Sequence, residues 1–262
     1  MLRRHVPVRS PFRVSLSLFL FLVGLALAGH VAAGSVELIS KAAPDLISGT
    51  PDEQSLIERR GAVSDDGRYV VFESWATTLL PDVTDTNHSA DVYLYDRITA
   101  TLTLVSRSAI HPEATGNGDS RSPMLSGDGR FVAFLSQAGD LVPGQIDAGG
   151  TAFVDVFLYD RVAGSIRLVS HTSASAVTAG NGGSPWSPAI SRDGRFVAFA
   201  SQAGNLVAGQ TGPAGSGVFV FEVATGGIAI VSHTSGSPLF VAEGYSLDPQ
   251  LSDDGRWIVY LS

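Results

Sequence analysis

The residues best spaced for chemistry lie in one loop, Asp82-Val-Thr-Asp85-Thr-Asn87-His-Ser-Ala-Asp91. Oxygen-bearing side chains at alternate positions, followed by a later carboxylate, are what a hard cation such as calcium needs. Asp85, Asn87 and Asp91 are the candidate metal ligands, and calcium is the one cofactor the residues suggest. The loop lacks the turn glycine of standard calcium loops. The competing reading is an Asx-rich turn that hydrogen-bonds to itself. A second copy of the stretch keeps Asp147 and Asp155, and a third keeps neither acid.

The rest of the chain offers little catalytic chemistry. His171 and His233 occupy equivalent places after two similar strands, which argues for a structural or surface role. His88 and His111 fall on long loops, with no nucleophile beside them in sequence. No Gly-x-Ser-x-Gly elbow, phosphate-cradling loop or dinucleotide fingerprint occurs. The glycine-rich pieces at 116–118 and 180–183 read as turns, because no helical pattern follows them. No residue is assigned a catalytic role.

What must position these loops is a repeat. SDDGRYVVFES at 64–74 recurs as SGDGRFVAFLS at 126–136, SRDGRFVAFAS at 191–201 and SDDGRWIVYLS at 252–262. The turn glycines Gly67, Gly129, Gly194 and Gly255 are 62, 65 and 61 residues apart. A period of this kind marks an array, a solenoid or a propeller. Before each turn lies a short strand carrying Pro123, Pro188 or Pro249. Proline cannot donate to a ladder, so this first strand belongs at a sheet edge. After the turn comes an apolar run without alternation, the pattern of a strand buried on both faces. DVYLYDR at 91–97, DVFLYDR at 155–161 and GVFVFEV at 217–223 form a third strand. TLTLVSR at 101–107, SIRLVSH at 165–171 and GIAIVSH at 227–233 form a fourth, joined to the third as in a hairpin. The arginines Arg68, Arg130, Arg195 and Arg256 recur with the fold and are expected to pair with acids such as Asp96 and Asp160.

The fold class is therefore all-β, a β-propeller of four-stranded antiparallel blades. A β-sandwich would not repeat one four-strand motif with the same proline and turn. The blades fall at about 56–107, 120–171 and 184–233, with part of a fourth at 245–262. SVELISK at 35–41 resembles a fourth strand and leads the array. Three full blades and part of another are incomplete as a ring, which normally needs at least about four. The expectation is the front part of a longer propeller, with the alternative that two chains complete a ring. In the unclosed arc Val71 and Trp257 should be more exposed than their equivalents Ala133 and Phe196, and the unclosed edge should favour self-association.

The proline, the Ser-x-Asp-Gly-Arg turn and the aromatic-aliphatic strand resemble the TolB-type (WD-like) propeller repeat, over residues 36–262, nearly all of the chain after the export signal. That resemblance implies the propeller fold and leaves function open, since such repeats serve binding modules, enzymes and gating domains.

Residues 1–33 read as an export signal. Arg3, Arg4, Arg9 and Arg13 precede an apolar run at 14–28, and Val31-Ala32-Ala33 offers cleavage before Gly34. Ala26-Leu27-Ala28 is an alternative cleavage site, and an uncleaved anchor is the alternative fate. The run is short for a membrane span of about 20 residues. With no cysteine, no lipoprotein anchor or disulfide forms. The full chain carries a net charge of −8, and without residues 1–33 it carries 13 basic against 25 acidic residues, a net of −12. Such a surface repels nucleic acid and anionic lipid. The expected location is periplasmic or extracellular, with no membrane contact after cleavage.

Strand alternation puts the first-to-second and third-to-fourth turns on one face. The long connections 75–90, 137–154 and 202–216, with 109–120, 172–184 and 234–245, share the other. Long loops on a rigid scaffold are where binding resides. The leading expectation is an exported, non-catalytic propeller that binds a protein or glycan through this face. The alternative is the propeller domain of a larger secreted enzyme: a lyase, a glycoside-active protein or a peptidase gate.

Overall fold

The computed structural model describes residues 53–57, 61–147, 153–213 and 215–262. The export signal at 1–33 and the leading strand at 35–41 lie outside the described residues. All regular structure described is β. The first blade has β1 (Ser55–Leu56), β2 (Tyr69–Ser74), β3 (Asp91–Asp96) and β4 (Thr101–Leu104), hydrogen-bonded in that order. The second has β5 (Ser120–Leu125), β6 (Phe131–Ser136), β7 (Asp155–Asp160) and β8 (Ser165–Leu168). A hairpin of β9 (His171–Thr172) and β10 (Ser175–Ala179) follows. The third blade has β11 (Ala189–Ile190), β12 (Phe196–Ser201), β13 (Gly217–Glu222) and β14 (Ile228–Ile230). A second hairpin, β15 (His233–Thr234) and β16 (Ser237–Val241), precedes the pair β17 (Leu247–Leu251) and β18 (Ile258–Leu261). Every strand pairing within these sheets is antiparallel.

The repeated turn explains itself in hydrogen bonds. Ser126 Oγ donates to Asp128 Oδ1 at 2.6 Å, and the same oxygen accepts the Arg130 N–H at 3.0 Å. The Phe131 N–H donates back to Ser126 Oγ at 2.9 Å. The same three bonds close the turns that start at Ser64, Ser191 and Ser252. The turn glycine has φ +69° at Gly129, a left-handed conformation that costs glycine nothing. It also lies against the aromatic that opens the previous blade's second strand. A Cβ on Gly129 would run into the Tyr69 ring, and one on Gly194 would stand 2.8 Å from the Phe131 ring.

The turns also join one blade to the next. The Asp65 N–H donates to Gly127 O at 2.7 Å, the Gly127 N–H to Arg192 O at 2.8 Å, and the Asp193 N–H to Asp253 O at 3.2 Å. The short-turn edges are thus sewn together by main chain.

First strands sit at sheet edges, as the prolines require. β5 and β17 are bulged at their prolines, and the residues before them, Ser122 and Asp248, have φ of 52° and 49°. Ser122 is held there by its N–H, which donates to Glu73 of the first blade at 2.6 Å.

Second strands alternate between two cores. Val71, Val92 and Leu94 pack with Leu125, Val132 and Phe134 between the first and second blades. Ala133, Leu135 and Leu158 pack with Val197, Phe199 and Phe219 between the second and third. Val71 is consequently fully buried, like Ala133, and the expectation that it would be exposed fails. Its side chain faces the second blade, and on the first blade's other face Phe72, Tyr93, Tyr95 and Leu104 pack with Ala76 and Leu79 of the blade's own second-to-third loop. Trp257 behaves as expected: it is 73% exposed, whereas Phe196 is partly buried. Burying such a side chain stabilises by roughly 1.5–3 kcal/mol.

Candidate functional site

The long connections do gather on one face. Isolated parallel bridges join Thr84 to Ala114, Ile146 to Thr178 and Thr211 to Phe240. Each pairs a second-to-third loop with the connection that leaves the same blade. A second stitch joins that connection to the next blade. The Asn117 N–H donates to Asp140 Oδ1 at 2.9 Å, and Asn117 Oδ1 accepts the Gly139 N–H at 2.8 Å. Asn181 repeats this with Asn205 and Gly204, at 3.0 and 2.8 Å. The glycines flanking each Asn let the main chains approach, since a Cβ on Gly118 or Gly182 would stand 2.7 Å from the next loop's backbone. These segments are clasps, in keeping with their reading as turns.

A repeated glutamine closes the second-to-third loops of the second and third blades from within. Gln145 Oε1 accepts the N–H groups of Leu141 and Val142 at 3.0 and 3.1 Å, and its Nε2 donates to Ala138 O at 2.8 Å. Gln210 does the same to Leu206, Val207 and Ala203. Leu141 and Leu206 are buried beneath these knots. The signal for them was present as Gln-Ala-Gly-x-Leu-Val-x-Gly-Gln, which occurs at 137–145 and 202–210.

The three proposed metal ligands are drawn into hydrogen bonds within the blade. Asp85 Oδ1 accepts the N–H groups of Asn87 and His88 at 3.1 and 2.8 Å. Asn87 Nδ2 donates to Gly116 O at 2.6 Å, and its Oδ1 accepts the Ser89 N–H at 2.6 Å. Asp91 is buried and accepts Ser106 Oγ at 2.8 Å. Burial pushes the Asp91 carboxyl up to about 8, against the Ser106 bond, with Asp85 adding repulsion. Asp155 has the same setting, accepting Ser170 Oγ at 2.7 Å, and burial pushes it up to about 7.

The histidines and arginines are accounted for structurally. His171 faces Thr172 O at 2.8 Å and Gly226 O at 3.2 Å and meets the Phe221 ring edge-on. His233 faces Thr234 O at 2.9 Å. His88 is exposed with φ 51°, and His111 lies 3.7 Å from Glu113 in solvent. Arg68 grips Asp96 and Arg130 grips Asp160, each through two nitrogens. Arg195 turns instead to its own Asp193 at 2.7 Å, while Glu222 takes Thr225 Oγ1.

A pocket of about 320 Å³ opens in the third blade, on the long-loop face. Ser201, Gln202, Gly204, Thr211, Gly212 and Gly217 line it, over a floor that includes Phe219 and Val241. It carries amides and hydroxyls, and no ionisable side chain lines it. A larger hollow of about 560 Å³ lies at the short turns between the second and third blades. Its arginines are engaged: Arg130 with Asp160, Arg195 with Asp193, and Arg167 through Val223 O at 2.9 Å.

No family model and no curated protein matches the sequence. Solved structures with a similar course include TolB from Acinetobacter baumannii, 16% identical over 80% of this chain at a TM-score of 0.44. The oligogalacturonate lyase from Vibrio parahaemolyticus is 10% identical over 76% of it, also at 0.44. Dipeptidyl peptidase 4 from Porphyromonas gingivalis is 14% identical over 84% of it, at 0.45. The chain spans 38%, 44% and 30% of these proteins respectively. The fold rests on the strands, registers and inter-blade bonds described above, and these are those of β-propeller blades.

Proposed function

We propose that this chain is an exported propeller module that binds a protein or glycan through its long-loop face. The observation that carries the reading is the contrast between the two faces. The short-turn edges are tied to one another by main-chain hydrogen bonds, and the arginines of the hollow between the second and third blades are spent on structural partners. The long-loop face is held rigid by the asparagine clasps and glutamine knots and still presents an uncharged pocket. A pre-formed concavity on a stiff scaffold is the usual setting of a ligand site. A binding role fits better than a catalytic one, because the buried aspartates and both repeat histidines are committed to hydrogen bonds within the blades. Export follows from the charged, apolar and small-residue succession at 1–33.

The test is hydrogen exchange on the purified protein with a panel of glycans and unstructured peptides. Ligand-dependent protection confined to 137–147 and 202–213 supports the reading. Protection at the Asp-Gly turns overturns it, and so does turnover of any panel member into products. Mass spectrometry of the exported protein should find Gly34 as the first residue, and an intact Met1 in a soluble cytoplasmic pool would refute export.

A further inference from the structure

The pocket in the third blade sits where the repeat is broken. The parallel bridges at Thr84, Ile146 and Thr211 align the three second-to-third loops. The residues that follow are Asp85, Asp147 and Gly212. The residues that open β3, β7 and β13 are Asp91, Asp155 and Gly217. Two blades thus place a pair of aspartates at the site where the third places a pair of glycines, and both glycines line the pocket.

The hydrogen bonding around the missing acid is otherwise kept. Ser106 and Ser170 each accept a main-chain N–H, from Val92 and Val156 at 3.0 Å, and donate to Asp91 and Asp155. Ser232 accepts the Val218 N–H at 2.8 Å in the same way. The carboxylate that receives the serine proton in the first two blades is missing at Gly217. Val241 takes part of the vacated space: a Cβ on Gly217 would lie 2.9 Å from its Cγ1. The remainder is open and uncharged.

From this geometry, and resting on the long-loop face as the binding face, we propose that the pocket takes a neutral, hydroxyl-rich ligand: one or two rings of an uncharged sugar. Amide and hydroxyl groups both donate and accept, as sugar hydroxyls do. Gln202 and Thr211 are exposed at the pocket wall, and Pro213 beside them offers an apolar face. The walls are preorganised, because Gln210, Asn181 and the Thr211–Val241 main-chain bond at 2.9 Å hold them. Little ordering is then required on binding. The volume is at the small end for ligand pockets. A cation finds no carboxylate here, and an acidic sugar meets a chain of net charge −8.

The experiment is calorimetric titration of the purified protein with glucose, N-acetylglucosamine, maltose, cellobiose and chitobiose, and with trigalacturonate as the acidic comparison. Saturable binding of at least one neutral sugar is expected, with trigalacturonate at least tenfold weaker. Gly217→Asp, which restores the acid of the other blades, should weaken the neutral sugar at least tenfold. Because that side chain also crowds Val241 Cγ1, Gln202→Leu and Thr211→Val serve as independent checks. Each should weaken binding severalfold without moving the melting temperature. Failure of every neutral sugar to bind, preference for trigalacturonate, or unchanged affinity in Gln202→Leu and Thr211→Val would overturn the proposal. A peptide that protects the long loops while all sugars fail would leave the binding face standing and remove the sugar.

Discussion

Ser106 stands between Asp91 and the main chain, donating to Asp91 Oδ1 at 2.8 Å while accepting the Val92 N–H at 3.0 Å. Ser170 does the same for Asp155. Both carboxyls are buried, and burial raises them to about 8 and about 7. In the unfolded chain an aspartate titrates near 3.8. Between that value and the folded ones, the unfolded state releases protons that the folded state keeps. Stability from these groups is therefore greatest in acid and is lost as pH rises from about 4 to 7–8. We expect Asp91→Asn and Asp155→Asn to flatten this slope and, at pH 8, to gain of order 1 kcal/mol or more relative to pH 5. Urea denaturation across pH 5–8 checks it, and a slope unchanged in the double variant would refute it.

Gly129 and Ser126 should be the most sensitive positions of the repeated turn. Ser126 is fully buried, and its hydroxyl serves both Asp128 and the Phe131 N–H. Ser126→Ala leaves that N–H without its side-chain partner and should cost about 1–3 kcal/mol. Gly129→Ala adds left-handed strain and a collision with the Tyr69 ring, so its loss should exceed about 2 kcal/mol. Denaturant midpoints of the two variants decide this, and a loss under half a kcal/mol in both would contradict the account.

The turn was legible in sequence because its parts are local: a serine, an aspartate, a glycine and an aromatic within six residues, repeated four times. So were the doubly buried second strands, since an unbroken apolar run has few other uses. The hairpins β9–β10 and β15–β16 were not legible and were read as loops. Their strands are short, His171–Thr172 against Ser175–Ala179 and His233–Thr234 against Ser237–Val241, and carry no two-residue period. They form because the bridges at Ile146 and Thr211 hold them from outside. The site was legible only as a face. That Gly212 and Gly217 stand in for Asp85 and Asp91 becomes meaningful once the bridges fix the alignment.

Calcium at Asp85, Asn87 and Asp91 should bind no better than millimolar. Two of the three side chains turn an oxygen toward backbone N–H groups, and the third is largely protonated at neutral pH. Any affinity should rise between pH 6 and pH 9, because the cation needs Asp91 ionised. Calorimetry on the wild type and Asp85→Ala tests this. Micromolar binding would contradict it, and equal heats in the two proteins would remove the loop as a site.

The β17–β18 pair carries the molecule's largest run of exposed apolar side chains among the described residues. Trp257, Val259 and Leu261 are 73%, 66% and 63% exposed, whereas Phe131, Ala133 and Leu135 at the same places in β6 are 8%, 0% and 1%. Each large side chain left in water forgoes roughly 1.5–3 kcal/mol. Contiguous patches of this kind drive association. We expect a polypeptide of residues 34–262, purified by itself, to self-associate in the micromolar range through this surface. Trp257→Ser with Val259→Lys should return it to monomer without lowering the stability of the first three blades. Sedimentation velocity over a hundredfold concentration range measures both proteins. A wild type that stays monomeric throughout, or a double variant that associates equally well, would refute this use of the face.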